Sequence, residues 1–482
     1  MRHFKKPERN QLVLMAHIDL NSVAPVGSAV RTIDDLVTSL DTTEIEKQYA
    51  LDSVTGRNPI HPKTIIKVCL FAIHSCRFSL RKMEYDTRWN LAYRWLAGEH
   101  IDHSTIGKFL ISCRDLIEEL FTQTVVIAVE RELVDFEVLA IDSVKLRASA
   151  SHKEEKNSAS LIKMAEKIRG RIKELLDDVS TEANELEVTI LRRREQRLAD
   201  AKKELCRRVE VKSVGKSECE KKKIVEKEKI NITDFDAHKM QQGNGEINPS
   251  YSTTTAVDVK ADIITHYQVN ESDNDNKALI PAIEGSAEKC DGRHKIVDAD
   301  PGFSSFGNLE KLEETNQKAL IPDKRFEIDE RGEQKRGKFD RSNFTYDAAS
   351  DTYLCPAEKT LEMEATFQLN GRAQHRYGNA AACKECPFIR NCTSGEKRTI
   401  TRDANEEIKE EMRVELAKPE NKNLYKLRAH AAESPFGNIK HNLKYRILLR
   451  RTAERVKIEI GLLCILHNFF KIGNYRAELC SA

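Results

Sequence analysis

Long apolar segments are missing from this chain of 482 residues. No run approaches the roughly 18–20 apolar residues that a membrane-crossing helix needs, and the longest one, residues 460–466, predicts a buried helix. The basic amino terminus, residues 1–6, is not followed by the apolar segment of a signal peptide. We therefore expect a cytoplasmic protein whose 12 cysteines are free thiols or metal ligands rather than disulfides.

An overall excess of one charge is also missing, because 79 basic and 77 acidic residues leave a net charge of +2. This balance hides a local asymmetry, since residues 421–480 contain twelve Lys and Arg but only four acidic residues. Such a basic end predicts a surface that binds a polyanion, although ordinary solvation of a helix explains the same charges. The length suits roughly three domains.

Residues 30–135 have the apolar spacing of short helices. Pro62 suits the first turn of one helix, Ser79 can cap the next, and Ser104 or Thr105 can cap a third. Short helices joined by tight turns form either a simple bundle or a helix-turn-helix DNA reader. The residues alone favour the bundle.

Heptad spacing marks the charged stretch between residues 151 and 230. Apolar side chains recur at positions 161, 165, 168, 172, 175 and 179, and leucines recur at 191, 198 and 205. This pattern predicts two antiparallel helices that turn near residues 180–184. We expect a spacer or a dimerisation arm without chemistry of its own.

Strand and helix patterns alternate in the segments that flank this arm. Residues 136–141 form an apolar strand that ends at Asp142, and a strand at residues 294–299 ends at Asp300. Strands are also expected at 251–259, 263–269 and 319–321, with helices at 277–288 and 308–314. This order predicts a mixed α/β sheet with acidic side chains at the strand ends, where sites commonly form.

Asp142, Asp300 and Glu433 are the acidic residues that could do chemistry. Carboxylates at the edge of a buried sheet repel one another unless a cation compensates their charge. Two divalent ions about 3.5–4 Å apart can hold the attacking and leaving oxygens of a phosphodiester. Taken singly, each Asp is more simply explained as a residue that forms a turn after a strand.

The residues around the three acids resemble motifs of one enzyme family. Leu-Ala-Ile-Asp-Ser at residues 139–143 is similar to its first-strand motif, and Ala-Asp-Pro-Gly-Phe at 299–303 to its Ala-Asp-x-Gly-aromatic motif. Glu-Ser-Pro-Phe-Gly-Asn-Ile-Lys at 433–440 resembles its final Glu motif. These three motifs, in this order, identify a resemblance to the DDE transposases of bacterial insertion sequences, in the cut-and-paste group.

The resemblance implies a mixed α+β fold. Residues 1–135 would form a helical DNA-binding domain, and residues 136–150 and 231–325 a ribonuclease-H-like catalytic core. That core would be interrupted by a coiled-coil insert at 151–230 and by a Cys-rich insert at 326–420. Basic helices at 421–482 would complete it.

The resemblance also implies roles for individual residues. Asp142, Asp300 and Glu433 would bind two Mg²⁺ or Mn²⁺ ions, with Asp298 as the rival of Asp300 for the second position. The DNA backbone would be contacted by Tyr425, Arg428 and Lys440. Apart from the resemblance, the charges of the carboxyl-terminal stretch predict a basic ridge that binds phosphates, formed by Lys440, Lys444, Arg446, Arg450, Arg451, Arg455 and Lys457. Because the interval from Arg428 to Glu433 is one residue longer than in the family, Lys426 and His430 are alternatives to Arg428 and Tyr425.

Four cysteines make a second constellation, at Cys355, Cys383, Cys386 and Cys392. A CxxC pair with two further thiols suits a structural tetrathiolate zinc site, and transposases of this kind often carry such a Cys-rich insert. An iron–sulfur cluster and four unliganded thiols are the alternatives.

The expected function is that of a DNA transposase, which cuts the transposon ends with metal ions and transfers the strands into target DNA. The expected partner is double-stranded DNA, bound by a homodimer in the cytoplasm at the nucleoid. An inactive DNA-end-binding protein derived from a transposase and a non-transposing nuclease on the same core are the alternative functions.

Overall fold

The computed structural model describes residues 19–51, 59–112, 114–177, 182–242, 245–270, 275–323, 326, 337–369 and 371–481, without the side chains at 48–51, 429, 430, 432, 433 and 475–481. The helices are α1 Ala29–Ser39, α2 Thr43–Leu51, α3 Pro62–His74, α4 Leu80–Trp89, α5 Leu91–Ala97, α6 His103–Ser112, α7 Arg114–Glu130, α8 Ser158–Asp177, α9 Glu182–Ser213, α10 Glu218–Lys227, α11 Leu279–Cys290, α12 Phe306–Glu314, α13 Ala380–Lys384, α14 Ile389–Cys392, α15 Glu406–Ala417, α16 Pro419–Gly437 and α17 Ala453–Ser481. The strands are β1 Val138–Arg147, β2 Glu155–Lys156, β3 Ile230–Asn231, β4 His238–Gln241, β5 Ile247–Asp258, β6 Ile263–Val269, β7 Ile296–Ala299, β8 Lys318–Leu320, β9 Thr345–Asp347, β10 Thr352–Leu354, β11 Thr360–Leu369, β12 Arg372–Gly378 and β13 Thr399–Asp403.

Contacts divide the chain into two compact units. Unit 1 comprises Met1–Glu130, Leu146–Tyr251 and Gly437–Ala482, and unit 2 comprises Arg131–Lys145 and Ser252–Phe436. In the described part of the chain, no helix is both long and apolar enough to cross a membrane.

Unit 1 contains the amino-terminal helices and the long helix α17, which packs against α7 and α3. Pro62 begins α3, and the Ser79 side chain accepts the Lys82 N–H at the start of α4, as expected. The predicted cap of α6 was wrong. Neither Ser104 nor Thr105 caps the helix. The Asp102 carboxylate instead accepts their backbone N–H groups, at 2.9 and 3.0 Å, because Asp102 directly precedes the first residue of the helix.

The charged arm of unit 1 consists of α8 and α9, which pack along the predicted apolar seam. Ion pairs Arg169–Glu195 and Arg171–Glu187 link the two helices in antiparallel order. The predicted seam position 179 and the first part of the turn, 180–181, lie outside the described residues. The remaining seam positions of α8 are buried or half-buried, so the periodicity correctly identified the packed face.

Unit 2 contains a sheet whose neighbouring strands are β6, β5, β1, β7 and β8 in that order. Strands β5 and β6 are antiparallel, whereas β1, β7 and β8 run parallel. The helices α11 and α12 supply apolar side chains to the core beside this sheet. Strand β1 is longer than the sequence predicted, because it continues for five residues past Asp142.

Unit 2 also contains a second sheet, ordered β13-β12-β11-β10-β9, which sequence analysis missed. Its core includes Tyr353, Leu361 and Tyr377. The Asn-Gly pair at residues 370–371 was the available signal, since this dipeptide is typical of tight hairpins, and Gly371 has a φ of +76°. Arg372 anchors the hairpin with ion pairs to Glu310 on α12 and to Asp403 on β13.

Candidate active site

The register of the first sheet brings two of the predicted acids together. In the parallel pair of β1 and β7, Ala140 lies opposite Asp298 and Ile141 opposite Ala299. The next position on each strand is therefore Asp142 on β1 and Asp300 after the end of β7. Both side chains are half-buried where the parallel pairing of β1 and β7 ends, and functional groups are common at the ends of parallel strands.

Arg428 supplies positive charge to this edge from helix α16. Its guanidinium interacts electrostatically with Asp142, Asp298 and Asp300, and these interactions raise the pKa of Arg428 while burial lowers it. The Nε atom lies 3.8 Å from Oδ1 of Asp298. The side chain of Arg428 is 14% exposed, so its charge acts on the acids with little screening by water.

Asp298 is the most deeply buried of these acids. Its exposure is 0%, and neither carboxyl oxygen has a hydrogen-bond partner. Burial raises the pKa of Asp298 to about 8, although the charge of Arg428 lowers it. A carboxyl group in such surroundings holds its proton at neutral pH, because ionisation without solvation is costly.

Asp300 and Asp142 keep contacts that suit an ionised carboxylate. The Gly302 N–H donates to Oδ1 of Asp300 at 2.8 Å, and the Ser143 N–H donates to Oδ1 of Asp142 at 2.9 Å. Burial raises the pKa of Asp300, Arg428 lowers it, and the nearby Asp275 raises it. Two carboxylates side by side form a donor set that suits a hard divalent cation.

A polar network, which sequence analysis did not predict, continues from Asp142 across the sheet. Ser143 bonds to Thr254 through their hydroxyls at 2.6 Å, and Asn270 Nδ2 donates to Thr254 Oγ1 at 2.9 Å. Asn270 Nδ2 also lies 3.1 Å from Oδ1 of Asp275. The polar turn that follows β6 was a signal for Asn270 and Asp275, but it does not reveal which side chains return to the sheet.

Helix α16 carries the third predicted acid, at position 433, whose side chain lies outside the described residues, as does that of His430. The helix packs on β1, since buried Ala431 contacts Ala140. Position 433 lies two residues after Ala431 on this helix, and residues at that spacing do not share a helix face.

Tyr425, on the same helix, lies beneath Arg428, with 5.2 Å between its ring centre and the guanidinium carbon. The backbone of α16 therefore places the predicted Glu and Tyr positions on the element that also carries the cation.

The other predicted DNA contacts belong to unit 1. Lys444 and Arg446 are exposed, and Lys440 is half-buried. The expected basic ridge is not uniform, because Arg450 is half-buried and Lys457 forms an ion pair with Glu118 at 2.5 Å. Some of its cations therefore make internal contacts, which charge counting along the sequence does not reveal.

The four cysteines of the predicted tetrathiolate line one cavity in unit 2. Burial raises the pKa of Cys392, and the three other thiols, Cys383, Cys355 and Cys386, raise it further. The Lys359 N–H donates to Sγ of Cys355 at 3.4 Å. Among the described residues, however, no group of three or more His, Cys, Asp or Glu side chains has the geometry to hold a metal ion.

Comparisons with known families give two matches. The model of a transposase DDE domain matches residues 354–473, which include α16, and the model of a transposase domain (DUF772) matches residues 18–111, the amino-terminal helices. No curated protein and no solved structure matches the chain significantly. Both family matches confirm the resemblance that the acidic motifs predicted. The chain is a DDE-type transposase of an insertion-sequence family, an enzyme that cuts DNA and transfers its strands with the help of divalent metal ions.

Proposed function

We propose that Asp142, Asp300 and Glu433 are the metal-binding acids of this transposase. The observation that carries the proposal is the parallel register of β1 and β7, which makes Asp142 and Asp300 neighbours. The packing of the helix α16 on β1 supports a contribution from position 433, because that position lies on the same helix. The strand order β6-β5-β1-β7-β8 supports a ribonuclease-H-like core.

Two Mg²⁺ or Mn²⁺ ions held by these acids would activate water and stabilise the developing charge on the phosphate. The chain's own contribution is to position the acids. Ser143 and Gly302 orient the two carboxylates through backbone N–H groups. Arg428 offsets the repulsion between the acids, and its planar guanidinium suits a DNA phosphate. The 3′-hydroxyl freed by hydrolysis would then attack a phosphodiester of the target DNA. It would join the target's 5′-phosphate and displace the target's own 3′-oxygen, without a covalent protein intermediate.

Further contacts to the DNA backbone are proposed for Tyr425, Lys440, Lys444 and Arg446. The exposure of Lys444 and Arg446 supports this role, because a phosphate contact needs an accessible cation. Removal of each such contact should make DNA binding less dependent on salt concentration.

We also propose a structural zinc ion at Cys355, Cys383, Cys386 and Cys392. The support is their convergence on one cavity and the mutual effect of the thiols on the pKa of Cys392. Metal analysis of protein purified without chelator should find about one zinc per chain. Cys386→Ser should lose it, whereas Cys219→Ser, at an exposed cysteine of α10, should keep it. Zinc-free folded protein would contradict the proposal, and visible absorption would indicate an iron–sulfur cluster.

The larger organisation is proposed on the same basis. Residues 136–150, 231–325 and 421–482 would form the catalytic core, residues 1–135 a DNA-binding domain, and residues 326–420 the Cys-rich insert. The antiparallel packing of α8 and α9 supports a coiled-coil arm at residues 151–230. A homodimer on DNA, located at the nucleoid, would hold the two ends of the transposon together.

The test is cleavage of DNA that contains the element's terminal repeats in the presence of Mg²⁺. Asp142→Asn, Asp300→Asn and Glu433→Gln should each lower cleavage at least about 1,000-fold, with DNA binding retained. Cleavage that persists in Asp142→Asn would show that another site performs the reaction. Binding without cleavage in the wild type would favour an inactive end-binding protein, and cleavage without strand transfer would favour a nuclease.

A further inference from the structure

Helix α4 presents an exposed face that combines cations with aromatic rings. At about 100° per residue, its exposed side chains occupy about 120° of the helix circumference. They are Arg81, Lys82, Tyr85, Arg88 and Trp89. We call these five residues the α4 face.

The packing of α4 explains why this face points away from the core. Met83 and Thr87 are buried on the opposite side, where the Thr87 hydroxyl bonds to the backbone carbonyl and N–H of Ile101 at 3.3 and 3.2 Å. The two acids of the helix are paired with other side chains. Asp86 is buried and held by Arg77, and the half-buried Glu84 lies 2.6 Å from a ring nitrogen of His103, which lowers the pKa of Glu84. The exposed surface of the helix therefore carries an excess of positive charge.

The two aromatic side chains are unusually accessible. Tyr85 is 58% exposed and Trp89 is 68% exposed. The other tryptophan of the chain, Trp95, is instead fixed by a hydrogen bond to Asn21 and by the guanidinium of Arg31, 4.8 Å from its ring centre. Large aromatic surfaces in water are unfavourable, and such residues often mark a binding surface.

We infer that the α4 face binds the duplex at the transposon end. Its three cations suit phosphate oxygens, and flat rings between cations suit sugars and base edges. The ten-residue helix is about 15 Å long, and the major groove of DNA, about 12 Å wide, admits an α-helix. Arg88 donates one N–H to His100 at 3.1 Å, and this bond orients its planar fork. A second copy of this chain is a poorer fit, because two such faces would repel each other.

This inference rests on double-stranded DNA being the substrate, and the experiment separates the two claims. Fluorescence anisotropy would measure the affinity of the full chain for labelled terminal-repeat duplex between 50 and 300 mM salt, roughly the range in which phosphate contacts are resolved. Arg81→Gln/Lys82→Gln is compared with Lys202→Gln/Lys203→Gln. The control pair is exposed on α9 of the same unit, so the change in net charge is identical.

We expect Arg81→Gln/Lys82→Gln to bind about tenfold more weakly at physiological salt and to lower the salt slope by about two. The control should match the wild type. Equal affinities for both variants, with wild type that binds and cuts the duplex, would overturn the inference alone. Wild type that does not bind DNA would overturn the proposed function as well. A change of oligomeric state in Arg81→Gln/Lys82→Gln without DNA would identify a protein interface instead.

Trp89 gives an independent optical test. In Trp95→Phe it is the sole tryptophan, so emission reports the α4 face directly. Addition of duplex should quench this emission in proportion to binding, because the bases approach the indole. Unchanged emission at saturating DNA would overturn the inference even if the variant binds normally. Should Trp95→Phe not fold, the same comparison uses the loss of duplex-induced quenching in Trp89→Phe against wild type.

Discussion

Asp298→Asn offers the sharpest separation of the two acids that flank the end of β7. The substitution preserves shape and removes an ionisable group that is fully buried. Burial moves the pKa of Asp298 from 3.8 to about 8, so the folded chain keeps a proton that the unfolded chain releases above about pH 4. A pKa raised on folding gives stability that is complete at low pH and is lost as pH rises toward the folded value.

The magnitude follows from this shift. Between about pH 4 and pH 8 the wild type should lose about 1.4 kcal/mol of unfolding free energy per pH unit through this group. Asn does not titrate, so the difference between Asp298→Asn and wild type should grow in favour of the variant. From pH 5 to pH 8 the change is about 4 kcal/mol.

The assay is urea unfolding at four pH values in that range, with a chelator present so that metal binding does not contribute. Asp291→Asn is the control, because Asp291 is exposed and its φ of +49° suits Asn. Parallel curves of stability against pH for wild type and Asp298→Asn would refute the reasoning. In the cleavage assay, Asp298→Asn should retain activity that Asp300→Asn loses, and the reverse result would make Asp298 the metal ligand.

Three further predictions concern stability. Arg372→Met leaves the carboxylates of Glu310 and Asp403 without their guanidinium. It should lower the free energy of unfolding, measured with urea, by about 2–4 kcal/mol. Arg376→Met, at an exposed site of the same strand, is the control and should lower it by less than about 1 kcal/mol. Burial raises the pKa of Glu459 to about 7, so wild type should lose stability as pH rises from about 5 to 7, and thermal melting of Glu459→Gln should lack this loss. Gly285→Ala places a Cβ atom 2.3 Å from Nδ1 of His266 on β6 and should lower the free energy of unfolding by about 1–3 kcal/mol. Gly307→Ala, with open space around the new Cβ atom, should not lower it.

Local patterns in the sequence were sufficient for the elements near the site. The apolar run before Asp142 correctly indicated a strand, although this strand continues past Asp142. The Pro-Gly pair after Asp300 correctly indicated a strand end, because Pro-Gly forces a turn. The heptads of the arm likewise identified its packed face. Both signals depend on neighbours within a few residues, which is the range over which sequence patterns act.

Contacts between distant residues were beyond such patterns. Asn270 and Asp275 join the site only because β6 returns beside β5, and Arg428 reaches the acids only because α16 packs on β1. The exposure of Trp89 was also beyond the sequence, since its spacing from other apolar residues of the helix predicts a buried position. Each of these depends on which elements meet in three dimensions.

By itself, the sequence determined the kind of chemistry: acids on or just after strands, a cation-rich end and a cluster of thiols. It favoured Asp300 over Asp298 only through the Pro-Gly pair after Asp300, because side chains two residues apart on a strand point to the same face. Only the tertiary structure shows how the surroundings of these two acids differ. The paired part of β7 ends at Ala299, so Asp298 lies inside the ladder, opposite Ala140 and without hydrogen bonds. Asp300 lies just past it, where a carboxylate can reach a ligand.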